Sequence, residues 1–209
     1  MCSSVILLLL AVSALATQER LPSLLERAKE QGGTAANSID LEFPVLNFPQ
    51  LLAQSDLVLQ GRIVEAKTSL QSDESFVVTK YEIAPIRIVK QNNPMNPTKP
   101  GETNPIVLRL LGGTVVVDGR YHLTTNVHDF PDSDRPRVGE QMIFFMLYSV
   151  DERGVVDKKV YNLTNGPFSV FRVRDGHVQA LRHAMADHLG DKPVAVAAFL
   201  SDLRQKLSK

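Results

Sequence analysis

The stretch HDFPDSDRP, residues 128–136, crowds His128, Asp129, Asp132 and Asp134 into one short run. Its carboxylates are hard oxygen donors lying close together, as calcium requires, and they make this run the best metal candidate in the chain. Its spacing is not that of an EF-hand, because no glycine turn with a terminal Glu follows. A solvated acidic loop, balanced by Arg135 and Arg137, is the favoured reading of the same residues. A metal held there would point to a small metal-dependent hydrolase. The other histidines are His122, His177, His183 and His188, and no HExxH occurs. If 177–188 were one helix, His183 and His188 would face about 140° apart, and His177 and His188 would stand about 16 Å apart. Exposed or capping roles are expected for them. No GxSxG elbow is present. Asp73-Glu74 and Asp151-Glu152 are adjacent pairs near strand ends, where neighbours face opposite ways. No catalytic residues and no cofactor are expected.

Gly112 and Gly113 interrupt the apolar run LRLLGGTVVVDGRYHL, residues 108–123. A phosphate-cradling loop needs a helix after its glycines, usually with a Lys. Here TVVV follows, a β-branched run poorly suited to starting a helix. The pair therefore reads as a bend in a sheet, where glycine permits bulge dihedrals and avoids a clash. A structural role is also expected of Gly139.

The elements around these residues are mostly strands. Leu21, Leu24, Leu25 and Ala28 repeat at helical spacing within 19–30, and Gly32-Gly33 stops that short, loosely attached helix. Residues 34–47 read as irregular, and Pro49 to Gln54 as a second helical turn. From Leu57 the pattern turns to strands: 57–66, then 75–89 with a bulge or edge position at Pro85. The proline-rich run 91–105 is a solvated loop. IVLRLL (106–111), TVVVDG and the nearly continuous apolar run QMIFFMLYSV (141–150) follow. The last of these suits a strand buried on both faces, or one closing a barrel. VYNL and PFSVFRV come next, and Asp175-Gly176 signals a two-residue hairpin. The C-terminal stripe Val196, Leu200, Leu203 and Leu207 forms a helix, with Asp191 as its cap and Pro193 near its first turn. No helices alternate with the strands, which argues for a small antiparallel barrel or sandwich.

The first sixteen residues, MCSSVILLLLAVSALA, read as a signal peptide cleaved after Ala16. The run Val5–Val12 is too short for a permanent membrane span. Removal of this segment takes away Cys2, the one cysteine. That excludes a disulfide framework, thiol catalysis and a thiolate zinc site. The protein is expected in the periplasm or secreted. Lys and Arg number 23, as do Asp and Glu. This balance counts against a nucleic-acid groove. Phe76, Tyr81, Phe168 and Phe171 could stack on bases, yet their apolar strand settings favour core burial.

SDLVLQGRIVEA, TKYEIAPIRIVK, VLRLLGG, VGEQMIFFML and NGPFSVFRV, in that order and spacing, resemble an exported bacterial domain of the netrin-like or tissue-inhibitor-of-metalloproteinase (TIMP-like) family. The resemblance covers about residues 54–175. It implies an OB-like antiparallel barrel of about five to six strands with terminal helices packed on it. It implies no catalytic residues. Animal inhibitors of this family chelate the protease zinc through an N-terminal cysteine. The mature chain has none, so inhibition by that mechanism is not expected. The resulting division is a signal peptide (1–16), an N-terminal helical extension (17–53), a barrel (54–181) and a C-terminal helical segment (182–209). The expected function is a non-catalytic binding or interaction module. Its ligand would be a protein or cell-envelope component, met through loops such as 91–105 and 120–137. A protease inhibitor that does not use an N-terminal cysteine is the alternative within the same class.

Overall fold

A strand with no polar alternation must be covered on both faces, and Met142 to Met146 in the run 141–150 meet that demand by sitting between two cores. The computed structural model describes residues 21–44, 46–92, 106–128, 130–150, 156–181, 189 and 193–208. The signal segment, residues 93–105, Asp129, Asp151-Glu152, His183, His188 and Asp191 lie outside the described residues. In chain order the elements are α1 (Leu24–Glu30), β1 (Thr34–Ile39), α2 (Phe48–Gln54), β2 (Leu57–Leu70), β3 (Val77–Gln91), β4 (Ile106–Leu111) and β5 (Gly113–Val117). Then come β6 (Tyr121–Val127), β7 (Gln141–Val150), β8 (Val156–Leu163), a 3₁₀ turn (Gly166–Ser169), β9 (Val170–Arg174), β10 (His177–Ala180), β11 (Val194–Ala195) and α3 (Val196–Leu207). The chain is mainly β, with a short N-terminal and a C-terminal helix.

Two sheets form. The larger has the order β11-β10-β9-β7-β2-β3-β4-β8, and β8 also pairs with β7. The smaller has the order β1-β6-β5. The expectation of five to six antiparallel strands needs correcting on two points. Eleven strands occur among the described residues, and two pairings, β1–β6 and β4–β8, are parallel. The extra strands come from segments whose sequence carries little apolar alternation. TAANSI (34–39), expected to be irregular, is β1, held by its backbone ladder to β6 and by the burial of Ala35. YHLTTNV (121–127), expected to be part of a loop, is β6.

β7 organises the interior. Met142, Phe144 and Met146 enter one core with Leu57, Leu59, Ile63, Ile83 and Leu108. Ile143 and Phe145 enter a second core, with Val58, Phe171 and residues of α2 and α3. The alternation of side chains along one strand thus feeds both cores. In the second core the rings of Phe48, Phe171 and Phe199 lie 5.4–5.6 Å apart, and Phe145 stands 5.8 Å from Phe171. These separations suit tilted and edge-on aromatic packing. The C-terminal helix therefore docks on its own chain, through Phe199, Leu200 and Leu203. Its N-cap is Ala195, without a side-chain cap, so the helix starts later than the Asp191 cap would place it.

The N-terminal helix is also docked rather than loose. Leu24, Leu25 and Ala28 pack with Ala35, Val77 and Leu123 in a third core, whereas Leu21 stays exposed. A capping box fixes its start: Glu26 N donates to Ser23 Oγ at 3.1 Å, and Ser23 N donates to Glu26 Oε2 at 2.6 Å. Asn47 and Gln50 repeat the device on α2, with Pro49 in its first turn. Pro85 lies opposite Gly61, next to a register shift at Gln60/Gly61, the bulge expected at this position. Asp175 and Gly176 both have positive φ and join β9 to β10 as a tight hairpin. No helix among the described residues is long and apolar enough to cross a membrane.

Two outcomes test this packing. Phe199→Ala should lose about 3–5 kcal/mol, the usual cost of emptying an aromatic core site. Urea unfolding of the full chain measures it. Alkaline pH tests the first core. Burial raises the Tyr161 hydroxyl above its ordinary pKa, with the neighbouring Tyr148 adding to the effect, and burial also raises Tyr81. Below about pH 10 both states keep these protons; above it the unfolded chain loses them first, so stability falls as pH rises. The urea midpoint should therefore drop from about pH 9 to about pH 11, and Tyr161→Phe should make that drop shallower.

Candidate functional site

Among the described residues, those named from sequence do not assemble into a metal centre. His128 is exposed, and its backbone N–H donates to Ile39 O at 3.0 Å. Asp132 faces Arg135, with Oδ1 3.0 Å from Nε. Asp134 accepts from Ser133 Oγ at 3.2 Å. Asp129 is outside the described residues. Among the described residues no three His, Cys, Asp or Glu side chains gather as metal ligands. His122 lies on β6, and His177 Nδ1 sits 2.8 Å from Asp175 O. Asp73 Oδ1 accepts from Ser75 N at 3.1 Å. Glu74 accepts from Ser23 Oγ at 3.0 Å, tying the β2–β3 turn to α1.

What the acidic loop does is deliver a buried arginine. Arg135 is 7% exposed. Its Nη2 donates to Leu111 O at 2.7 Å and its Nη1 to Gly112 O at 3.2 Å. Its guanidinium stands 5.7 Å from the centre of the Phe130 ring. The Asp132 contact lacks hydrogen-bond alignment, so it acts through charge. The sequence presented Arg135 only as a counter-charge; nothing in the spacing named its carbonyl partners.

Those carbonyls belong to the glycine pair and the residue before it. β4 lies in the larger sheet and β5 in the smaller, and Gly112-Gly113 is the joint between them. Gly112 has φ +95° and Gly113 φ +125°. A Cβ on Gly112 would meet the Arg135 guanidinium and would stand 2.9 Å from Thr125 O; on Gly113 it would stand 2.7 Å from Thr79 Oγ1. Gly112 O also accepts from Thr79 Oγ1 at 2.8 Å, and Gly112 N donates to Val77 O at 2.7 Å. Gly139 also has positive φ, +92°, yet a Cβ there would meet nothing within 4 Å. Tyr81 and Phe171 are buried in the cores, and Phe168 packs against the second. Three of the four aromatics considered for base stacking are thus committed to packing, and Phe76 is half-buried.

A different place collects groups suited to binding. A recess of about 270 Å³ opens between the end of β2, β3, β4 and the strands β7 and β8. Lys80 and Arg109 line it, with Ser69, Gln71, Ser72 and Ser149. Register explains why: Lys67 pairs with Lys80 across β2–β3, and Lys80 with Arg109 across β3–β4, so three cations form one row. Lys67 is matched by Glu65 at 2.8 Å, which raises its pKa. Neither Lys80 nor Arg109 has an ion-pair partner among the described residues. Single cations in strands look like solvated faces, so the row is not visible in the sequence. Only the strand register brings them side by side.

The glycine joint gives a clear comparison. Gly112→Val should lower the melting temperature by on the order of 10 °C, from about 1–3 kcal/mol of backbone strain plus the collision with Arg135 and Thr125. Gly139→Ala carries the strain alone and should cost distinctly less. Thermal unfolding of both variants beside the wild type measures the difference.

No known family model and no curated protein matches this chain.

Proposed function

We propose that this chain is an exported, non-catalytic binding module on an OB-like barrel of the netrin-like or TIMP-like kind. It would engage a protein or cell-envelope component through its β3–β4 face. The barrel reading is supported by a ring of pairings. β2 pairs with β3, β3 with β4, β4 in parallel with β8, β8 with β7, and β7 with β2. A five-stranded Greek-key barrel uses such a cycle, and its second and third strands, β3 and β4 here, form its usual binding face. The export reading is supported by the leader-like sequence at 1–16.

The observation that carries the binding reading is the recess on that face, with two adjacent cations that form no ion pair among the described residues. Like charges directly opposite on neighbouring strands destabilise a sheet. A row with no internal anion is a cost to the fold, and a ligand that matches it offsets that cost. A nucleic-acid strand is disfavoured as that ligand, since Tyr81 and Phe171 are buried and no stacking platform is left from them.

Affinity capture from native envelope extract tests the reading, with wild type and Lys80→Gln/Arg109→Gln as paired baits. A partner retained by the wild type and lost by the double variant, with unchanged thermal unfolding of the bait, is the expected result. Equal capture by both baits would remove the β3–β4 face from consideration.

A further inference from the structure

We infer that the recess between Lys80 and Arg109 is a site for a tetrahedral oxyanion, the phosphate or sulfate group of a larger ligand. This inference rests on the reading of that recess as the binding face, and it adds the chemistry of the group bound there. Lys80 and Arg109 are cross-strand neighbours, so their charged ends leave one sheet face side by side. The one ion pair that the row makes among the described residues, Lys67 with Glu65 of the next row, lies on the side away from Arg109. The nearby turn carboxylates are engaged elsewhere: Asp73 with Ser75 N, and Glu74 with Ser23 Oγ.

The remaining polar lining also donates. Ser149 is buried, and Asn162 Nδ2 donates to its Oγ at 3.3 Å, which leaves the Ser149 hydroxyl proton to be given onward. Ser69 and Ser72 add two more hydroxyls at the rim. An arginine fork, an ammonium and hydroxyl donors together suit a group with several acceptor oxygens and negative charge. The volume of about 270 Å³ exceeds what one tetrahedral anion fills, so it admits the anion together with part of the ligand that carries it. The ligand would therefore present its anion into the recess and extend over the surrounding sheet.

Calorimetric titration of the full chain with inorganic phosphate and with inorganic sulfate, at matched ionic strength, tests this. Sodium acetate serves as the carboxylate control and Lys80→Gln/Arg109→Gln as the protein control. Saturable heat with phosphate or sulfate, weaker with acetate, and about tenfold weaker binding by the double variant are expected, since each lost charge-assisted hydrogen bond is a strong one. The stronger of the two anions identifies the ester to seek in the natural ligand. Without added anion the double variant should melt no lower than wild type, because it removes a cross-strand repulsion; a lower melting temperature would make the row structural and overturn the inference. Absence of saturable heat, equal heat from both proteins, or acetate binding as well as phosphate would also overturn it. If the variant loses its captured partner while neither anion binds, the docking face stands and the oxyanion site falls. If anions bind and capture is unchanged, the oxyanion site stands and the docking face falls.

Discussion

The burial of β7 on both faces is the constraint on which the rest of the structure depends. Met142 through Met146 have essentially no contact with solvent. One face of that strand needs the side chains of β2, β3 and β4, and the other needs α2, β9 and α3. Since hydrophobic burial is the main favourable term in folding, a strand that contributes to two cores couples them. The terminal helices are thus required by the sequence of a central strand. Without α2 and α3, Ile143 and Phe145 would face water.

A second constraint acts at the passage between the sheets. β4 and β5 are nearly continuous in sequence, yet they belong to different sheets, so the chain must turn within Gly112-Gly113. The turn leaves the Leu111 and Gly112 carbonyls pointing away from a regular ladder. Buried carbonyls need donors. Arg135 and Thr79 supply them, and Asp132 balances the charge that this places in a half-dry setting. The acidic loop that looks like a metal site in sequence is, in the fold, the arm that carries this donor. Asp132 is there with the arginine, and only the three-dimensional path of the chain shows that partnership.

Much of the fold could be read from residues alone where the pattern is strong. IVLRLL, QMIFFMLYSV and the Asp175-Gly176 turn declare themselves through apolar runs and turn chemistry, and Pro49 marks α2. The signal fails where burial is supplied by tertiary neighbours. TAANSI has one buried apolar residue, Ala35, and becomes a strand because β6 offers it a ladder. YHLTTNV looks polar because its Thr side chains hide the alternation of Leu123, Thr125 and Val127 as buried positions. Thr125 is buried because its hydroxyl accepts from Val77 N at 2.9 Å, a partner that lies far off in sequence. The recess was illegible for the same reason: Lys80 and Arg109 are separated by a proline-rich segment and meet only through register.

The charge pattern on the outer face of β2, β3 and β4 distinguishes a solvated surface from a site. One row carries Glu65 opposite Glu82, and the next carries Lys67, Lys80 and Arg109. A sheet selected only for solubility would intersperse the signs within each row, because directly opposed unlike charges help and like charges hurt. Here the signs are segregated by row: Glu65 pairs with Lys67, and Glu82 forms no ion pair with Lys80 or Arg109 among the described residues. Toward β4 the carboxylate row ends in Val107 while the cation row continues to Arg109. The imbalance therefore grows from β2 to β4 and is greatest where Ser149 and the β2–β3 turn wall the recess in. Partial enclosure lowers the local dielectric and strengthens whatever anion meets those two cations. Net charge near zero for the whole chain is compatible with this, since the field that matters to a ligand is the local one.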